Sequence, residues 1–307
     1  MGGGRALRPW QASSMPSRVP ADPPIHAVRA AVAAALAEDL TPLGDLSAAL
    51  VPGDATTEAA FVTRADGAIA GTACATEAFA QVDERVTVQW EVDDGDRVEA
   101  GAVLGTVAGP LAPILTGERT ALNFLCHLSG IATLTRRFAD AAAEGGDARI
   151  WDTRKTTPGL RSLEKAAVRA GGGASHRGNL SDWVMFKDNH LAAIGIVEAV
   201  RRAREAWPAR TIHVEVDDEA TMLVALDAGC DAILLDNFTP AEAAEAVASA
   251  DEWAAASGRH RPWLECSGGI TVETAAAYAA SGVDLLSTSQ ITQSAPALDI
   301  GLDIGVG

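Results

Sequence analysis

The sequence predicts an α/β protein in which an N-terminal α+β sandwich domain is followed by an incomplete TIM-like α/β barrel. Two patterns predict this fold class. The N-terminal third alternates apolar and polar residues and turns at Asp-Gly pairs, whereas the C-terminal half repeats an apolar strand, a polar turn and a helical segment. Since 48% of the 307 residues are apolar, the chain is expected to bury a sizeable core.

The N-terminal half combines one helix, short strands and a long connecting helix. Apolar residues at helical spacing predict a helix over 25–40. Runs of alternating polarity at 59–75 and 86–109 predict strands and hairpins, and good helix formers predict a bridging helix over 116–144. The predicted organisation is a flexible tail at 1–24, the sandwich domain at 25–130, the barrel at 131–290 and a C-terminal segment at 291–307 that returns to the N-terminal domain.

Six strand-like segments, each bounded by polar turns, define the C-terminal half. They are 148–153, 183–187, 211–217, 231–237, 262–269 and 283–289. Strands that alternate with helices indicate a parallel sheet, and an open doubly wound sheet would also fit this number of strands. A doubly wound sheet gathers its ligand groups at one switch point, whereas polar residues here end nearly every strand, which favours a barrel-like ring.

The charge distribution sets a basic segment apart from an acidic protein. The chain has 24 Lys and Arg against 41 Asp and Glu, a net charge of −17, which argues against a nucleic-acid surface. Residues 149–188 nevertheless hold eight Lys and Arg against four acids. A basic segment in an acidic protein predicts a pocket for a small, highly anionic ligand.

Cysteine usage and hydropathy predict a cytoplasmic protein. The four cysteines are scattered without a CxxC pair, so they indicate neither a disulfide framework nor a zinc knuckle. No apolar run approaches the roughly 20 residues that span a bilayer, and the N-terminal tail lacks the apolar stretch of a signal peptide.

Two carboxylates are predicted to face the lumen of the barrel. In segment 211–217, a period of two places Glu215 on the face opposite three apolar residues, and Asp236 stands near the end of segment 231–237. These carboxylates could hold Mg²⁺, directly or through water, or form salt bridges to Arg or Lys. The pattern alone leaves both interpretations open.

Basic side chains follow two predicted strands and a run of three glycines. The candidate anion-binding residues are Arg154, Lys155, His176, Arg177 and Lys187. Arginine matches planar carboxylates, and lysine acts as a point charge on phosphate, so the set suits a ligand that carries both groups. Arg161, Lys165 and Arg169 recur at i+4 along a helix, a pattern that is typical of a solvated helix face.

The run Ser267-Gly268-Gly269 stands between a strand and a helix, where backbone N–H groups can bind a phosphate. A tight βα turn is the alternative interpretation. Its place near the last strands matches the usual phosphate site of barrels and favours the first interpretation.

Six motifs resemble those of the quinolinate phosphoribosyltransferases. They are ERTALNFLCHLSGIAT from Glu118, DTRKTTPGLR from Asp152, GGGASHRGNLSDWVMFKDNH from Gly171, EVD from Glu215, LLDN from Leu234 and ECSGGI from Glu265. The resemblance covers 25–304, and DTRKTTPG together with KDNH is highly specific. It implies the same two-domain fold and a homodimer in which one subunit's N-terminal domain covers its neighbour's barrel mouth.

The resemblance also implies a role for each site residue. The quinolinate pocket would be formed by Arg119, Arg154, His176, Arg177 and Lys187, with Arg119 reaching across the dimer interface. Lys155 would contact phosphoribosyl pyrophosphate, Glu215 and Asp236 the ribose hydroxyls and the magnesium pyrophosphate, and Ser267, Gly268 and Ser289 the phosphate site. Lys155, Glu215 and Asp236 are the residues expected to be catalytic. The implied reaction forms nicotinate mononucleotide, pyrophosphate and carbon dioxide in NAD biosynthesis.

Several positions depart from the family pattern. Ser175 stands where an Asn is common and Ala166 where a Tyr is common, while Ser289 and Gln293 replace a glycine and a histidine near the phosphate. Serine hydroxyls and glutamine amides still donate hydrogen bonds, so we expect these changes to tune the site and not to abolish it.

Two alternative functions fit parts of the pattern. A paralogous phosphoribosyltransferase could act on another acceptor, but the arginines Arg119, Arg154 and Arg177 favour a dicarboxylate. A non-catalytic phosphosugar-binding homologue could keep the fold, but it should lose costly buried charges first, and Lys187, Glu215 and Asp236 are intact.

Overall fold

The computed structural model describes residues 22–305. The predicted tail at 1–24 therefore lies outside the described residues, except for the last three positions, which lead directly into the first helix.

A four-stranded antiparallel sheet with helices packed against it forms the N-terminal domain. Its elements are α1 (Ile25–Leu40), β1 (Thr56–Thr63), β2 (Gly67–Ala68), α2 (Thr72–Val82), β3 (Thr87–Trp90), β4 (Arg97–Val98), β5 (Val103–Pro110) and α3 (Leu111–Gly145). The C-terminal strand β12 (Ile300–Ile304) pairs with β1, which gives the sheet order β12-β1-β5-β3. Phe61 anchors the core of this domain, since it is fully buried and stacks on Trp90 with ring centroids 4.8 Å apart.

Helix α2 corrects the strand run predicted over 59–75. The strand β1 ends at Thr63, and a helix begins at Thr72. Gly71 adopts a φ of 99°, and the N–H groups of Gly71 and Thr72 donate to the Asp94 carboxylate at 2.8 and 3.2 Å. The first amides of a helix lack intrahelical partners, so this cap satisfies them. The cap comes from a distant turn and is invisible in a local sequence window.

Six parallel strands and their helices form the C-terminal domain. The elements are β6 (Arg149–Trp151), α4 (Arg161–Ala170), β7 (Val184–Phe186), α5 (Asp188–Ile194), α6 (Ile196–Ala206), β8 (Ile212–Val216), α7 (Glu219–Ala228), β9 (Ala232–Asp236), α8 (Pro240–Ser257), β10 (Trp263–Ser267), α9 (Val272–Ala280), β11 (Leu285–Ser287) and α10 (Gln290–Gln293). Every strand predicted in this half is present.

The strand order confirms an incomplete barrel. The sheet runs β6-β11-β10-β9-β8-β7, so from β7 to β11 each strand pairs with the next, and β11 returns to β6. A doubly wound sheet would instead start near its centre and reverse direction. The first two strands, β6 and β7, are the edges of the six-stranded sheet.

No helix within residues 22–305 is both long enough and apolar enough to cross a lipid bilayer. The longest helix, α3, continues from the N-terminal sheet to the barrel, where it packs against α4 and α9.

Candidate active site

The structure places most of the predicted site residues at or beyond the C-terminal ends of the barrel strands. Lys187 follows β7, Glu215 and Asp236 lie at the ends of β8 and β9, and Ser267 ends β10. Because parallel strands present the same ends to one edge of the barrel, residues far apart in sequence meet there.

The acidic part of this edge is a cavity of ≈390 Å³. Glu215 and Asp236 line it together with Asp188 and Asp217. Carboxylate oxygens are the ligands that Mg²⁺ prefers, and four carboxylates line this one cavity. The side chains present therefore fit a magnesium ion.

Lys187 joins the acidic part to the basic part of the site. Its ammonium group forms an ion pair with the Glu215 carboxylate, and the Lys187 side chain is 46% exposed. This contact shows that Glu215 does meet a cationic side chain. The salt-bridge and magnesium interpretations are therefore compatible, because Glu215 can contact Lys187 while it lines the cavity.

Two arginines form the basic part of the pocket. Arg177 is 8% exposed, and burial together with the nearby Arg154 guanidinium lowers its pKa. Arg154 is half-buried, and its Nε atom has no hydrogen-bond partner within residues 22–305. Two neighbouring guanidinium groups with unused donors are suited to bind a ligand with more than one carboxylate.

Arg161 is a structural clamp and not part of a solvated stripe. Its guanidinium donates to the Arg154 carbonyl at 3.1 Å, the Thr156 hydroxyl at 3.0 Å and the Gly178 carbonyl at 3.0 Å. One side chain therefore holds the loop of Arg154 against the loop of Arg177.

Lys165 also contradicts the predicted solvated face, since it is buried and ion-paired with the fully buried Asp152. Lys165 Nζ donates to the His176 carbonyl at 2.9 Å, and Asp152 accepts from the His176 N–H at 2.8 Å. A buried charge is destabilising unless it is paired, and here the two charges pair with each other. Both partners also bond to the His176 backbone, so the pair fixes its position. Arg169, the third residue of the stripe, donates to Ser175 Oγ at 3.3 Å.

The His176 ring packs inside the barrel among other aromatic side chains. It lies 4.8 Å from the Trp183 ring and 5.7 Å from the His213 ring, measured between centroids. Burial lowers the pKa of His213 to about 4, so this imidazole is neutral at neutral pH. Both histidines contact Glu265, a fully buried carboxylate that sequence reasoning missed as a separate feature.

The predicted phosphate turn depends on a close backbone approach. Gly268 has a φ of 102°, and a Cβ atom at this position would lie 2.2 Å from Asn237 Oδ1. The Asn237 N–H donates to the Ser267 carbonyl at 2.8 Å, which holds the ends of β9 and β10 together. Ser289 is half-buried, lies two residues after the end of β11 and directly precedes α10.

Lys155 and Arg119 differ from the other predicted residues. Lys155 is exposed, with its carbonyl held by the Thr292 hydroxyl at 2.7 Å. Arg119 lies on the exposed face of α3 and makes no hydrogen bond or ion pair with the pocket residues within the described part of the chain. The structure of one chain therefore does not bring Arg119 into the site.

Two family models match the chain: the quinolinate phosphoribosyl transferase N-terminal domain over 45–129 and C-terminal domain over 131–303. The chain belongs to the quinolinate phosphoribosyltransferase family. Among the members of this family, the nicotinate-nucleotide pyrophosphorylase [carboxylating] of Mycobacterium leprae is 42% identical over 91% of this chain and 97% of its own length. A probable enzyme of the same name from Bacillus subtilis is 41% identical over 85% of this chain and 88% of its own length.

Solved structures of quinolinate phosphoribosyltransferase family members share the architecture. The nicotinate-nucleotide pyrophosphorylase of Francisella tularensis has a TM-score of 0.86 and 34% identity, over 92% of this chain and 98% of that one. NadC of Streptococcus pyogenes has a TM-score of 0.84 and 36% identity, over 92% of this chain and 97% of that one. The fold recognised from the sequence motifs is therefore confirmed.

Replacing Arg161 with alanine is expected to lower kcat/KM by roughly 10- to 100-fold, because loop displacements of about an ångström misplace the reacting groups. Lysine can replace only some of the three hydrogen bonds of Arg161, so the kcat/KM of Arg161→Lys should lie between those of the wild type and Arg161→Ala. Steady-state kinetics, with Arg201→Ala on the exposed face of α6 as the control, would measure the effect. Wild-type kcat and KM in Arg161→Ala would contradict the clamp.

Proposed function

We propose that this chain joins quinolinate to phosphoribosyl pyrophosphate and releases pyrophosphate and carbon dioxide to form nicotinate mononucleotide, a pentosyl transfer in NAD biosynthesis. The observation that carries the proposal is the division of one barrel edge into a paired-arginine part and a four-carboxylate part. The family supports it, because relatives 41–42% identical carry carboxylating pyrophosphorylase names. The paralogous and non-catalytic alternatives are not favoured.

In this proposal, the basic part recognises the two carboxylates of quinolinate. Arg154 and Arg177 supply planar donors, and Lys187 supplies a compact charge. His176 forms the floor, where Lys165 and Asp152 fix its backbone. The ligand would orient its ring nitrogen towards the acidic part of the edge.

The acidic part would receive phosphoribosyl pyrophosphate. Glu215 and Asp236 would contact the ribose hydroxyls and hold Mg²⁺, directly or through water, with Lys155 on the pyrophosphate and the Ser267-Gly268 turn and Ser289 on the ribose phosphate. When bound, Mg²⁺ neutralises the departing pyrophosphate.

The proposed chemistry requires positioning and charge stabilisation, with no protein nucleophile. The bond from the anomeric carbon to pyrophosphate breaks, positive charge develops on the ribose, and the pyridine nitrogen forms the new bond. Glu215 and Asp236 stabilise that positive charge, while Lys155 and Lys187 stabilise the anionic groups. The carboxylate beside the ring nitrogen then leaves as carbon dioxide, and a proton takes its place on the ring.

Purified protein incubated with quinolinate, phosphoribosyl pyrophosphate and Mg²⁺ should release nicotinate mononucleotide and carbon dioxide in equal amounts. Nicotinate in place of quinolinate tests the acceptor in a matched reaction. Product from nicotinate, with none from quinolinate, would reject the proposal. Absence of product from both acceptors would favour a binding protein.

We also propose a homodimer in which Arg119 completes the neighbouring subunit's pocket. Two observations support it. Arg119 is exposed outside its own site, and the apolar side chains of Leu43, Leu46 and Leu50 are exposed in the segment that contacts α3 where the Thr116 hydroxyl donates to Asp45 at 3.0 Å. Exposed apolar clusters of this kind are typical of subunit interfaces.

Mixing an Arg119→Ala subunit with an Arg154→Ala subunit is therefore expected to restore activity. Each homodimer lacks a residue in both sites, whereas a mixed dimer has one complete site, so random mixing should give roughly a quarter of wild-type activity. Co-expression followed by assay and native mass spectrometry would measure it. If each chain builds its own site, mixed dimers form without any gain in activity.

A further inference from the structure

Three side chains with metal-binding atoms converge inside the barrel, apart from the acidic cavity. His176 comes from the loop after α4, His213 from β8 and Glu265 from β10. The Glu265 Oε2 atom lies 3.4 Å from His213 Nε2 and 3.6 Å from His176 Nε2, and the three ligand atoms lie within 4.8 Å of one another. All three residues are buried.

Polar atoms in this cluster lack hydrogen-bond partners. Within residues 22–305, both carboxylate oxygens of Glu265 and the Nε2 atom of His213 are buried without a well-formed hydrogen bond, and the contacts of Glu265 with His213 and His176 are 3.4 and 3.6 Å long. The neighbouring indole nitrogens of Trp151 and Trp183 are also unsatisfied. Buried polar groups are normally well paired, so a carboxylate at 0% exposure whose contacts to the two histidines are this long is suited to a further ligand.

The distances in the cluster match the needs of a tetrahedral transition metal. Zinc binds imidazole nitrogen and carboxylate oxygen at about 2.0–2.2 Å, which places neighbouring ligand atoms roughly 3.3–3.5 Å apart. Two of the separations here are 3.4 and 3.6 Å, so small side-chain movements would complete the site. We propose that His176, His213 and Glu265 form a buried site for Zn²⁺ or a similar divalent transition metal.

The chemistry of these ligands distinguishes the site from the acidic cavity. Two imidazole nitrogens and one carboxylate favour zinc, whereas the carboxylates that line the cavity around Glu215 and Asp236 favour magnesium. Three protein ligands leave a fourth position for water or another small ligand.

A metal at this site would tie together three parts of the barrel that are separate in sequence. Ligation through Nε2 would fix the His176 ring from below, while Lys165 and Asp152 fix its backbone. The Nδ1 atom would remain the nitrogen available to the pocket. The metal is therefore expected to stabilise the pocket floor and to raise the unfolding temperature.

Full-length protein treated with EDTA, incubated with ZnCl₂ and dialysed is expected to retain about one equivalent of zinc per chain by elemental analysis. Co²⁺ in place of Zn²⁺ should give the intense visible bands of a four- or five-coordinate ion with nitrogen ligands. Both readouts are independent of catalysis, so they test this site separately from the proposed function.

Removing a ligand should abolish retention. His213→Gln and Glu265→Gln are expected to lower zinc affinity by at least about 100-fold, since even outer partners of a metal ligand contribute 10- to 100-fold. The double variant Glu215→Gln/Asp236→Asn is the matched control and should retain zinc. Circular dichroism would establish that each variant is folded.

Failure of wild-type protein to retain zinc, or to give the cobalt bands, overturns the proposal whatever the variants do. Retention by both ligand variants, or its loss only in the Glu215/Asp236 control, would also overturn it, because the metal would then lie elsewhere. In either case the Glu265 carboxylate would be held by its contacts with the two histidines and with no metal.

Discussion

Arg154→Ala is expected to lower kcat/KM for quinolinate by about 100-fold or more. Hydrogen bonds from a charged donor contribute about 1.5–3 kcal/mol each, and a guanidinium that binds a carboxylate through two of them loses about 3 kcal/mol or more when it is removed. Each 1.4 kcal/mol corresponds to about a tenfold change, which gives the expected factor. The main effect should be on the KM for quinolinate, because the arginine binds the acceptor.

The fold should survive this change. Arg161 and Thr156 contact the backbone carbonyl of Arg154, and alanine keeps that carbonyl. Arg154→Lys tests whether charge alone suffices, since lysine cannot bind a carboxylate in the same planar fashion. Arg201→Ala, which removes exposed ion pairs on α6, controls for the loss of a positive charge. An Arg154→Ala enzyme with unchanged quinolinate kinetics would exclude this residue from the acceptor pocket.

The barrel could be predicted from the sequence because its determinants are local. Each strand is a short apolar run bounded by polar turns, and the residues beyond its end, such as Lys187 and Asp236, occupy the mouth in any parallel barrel. A period of two likewise predicts that Glu215 faces the lumen. The site assignments stay predictions that mutagenesis must test.

Features that depend on distant contacts could not be predicted. The start of α2 depends on Asp94, and no local window contains both. The stripe of Arg161 and Lys165 has the spacing of a solvated face, but Asp152 and the Gly178 loop close over it in the folded chain. Spacing predicts which side chains share a helix face, but burial of that face is decided by tertiary packing.

The buried pair of Lys165 and Asp152 gives the largest expected effect on stability. Lys165→Met keeps most of the apolar volume but leaves Asp152 without its cation, and breaking one side of a buried pair typically costs about 3–5 kcal/mol. Urea unfolding should therefore show a free energy of unfolding lower by that amount. His176 also loses the Lys165 contact to its carbonyl, so quinolinate binding should weaken as well.

The stability lost in Lys165→Met should increase as pH rises. Burial raises the pKa of Asp152 even beside Lys165, and without Lys165 the pKa should rise further. In the unfolded chain this carboxyl titrates near its ordinary value of about 3.9. Above that pH, the unfolded state ionises freely while the folded state must hold a proton or an unpaired charge, so the stability of Lys165→Met falls as pH rises. The difference in free energy of unfolding between wild type and Lys165→Met should therefore be larger at about pH 8 than at about pH 5.

A double variant separates the unpaired charge from simple loss of packing. Asp152→Asn removes the charge but keeps an oxygen that can accept from the His176 N–H, as Asp152 does at 2.8 Å. Lys165→Met/Asp152→Asn should therefore recover part of the stability that Lys165→Met loses, and its deficit should no longer vary with pH over this range. If the double variant is as unstable as the sum of the two single variants, the two side chains do not act as a pair, and the buried ion pair is not what holds His176 in place.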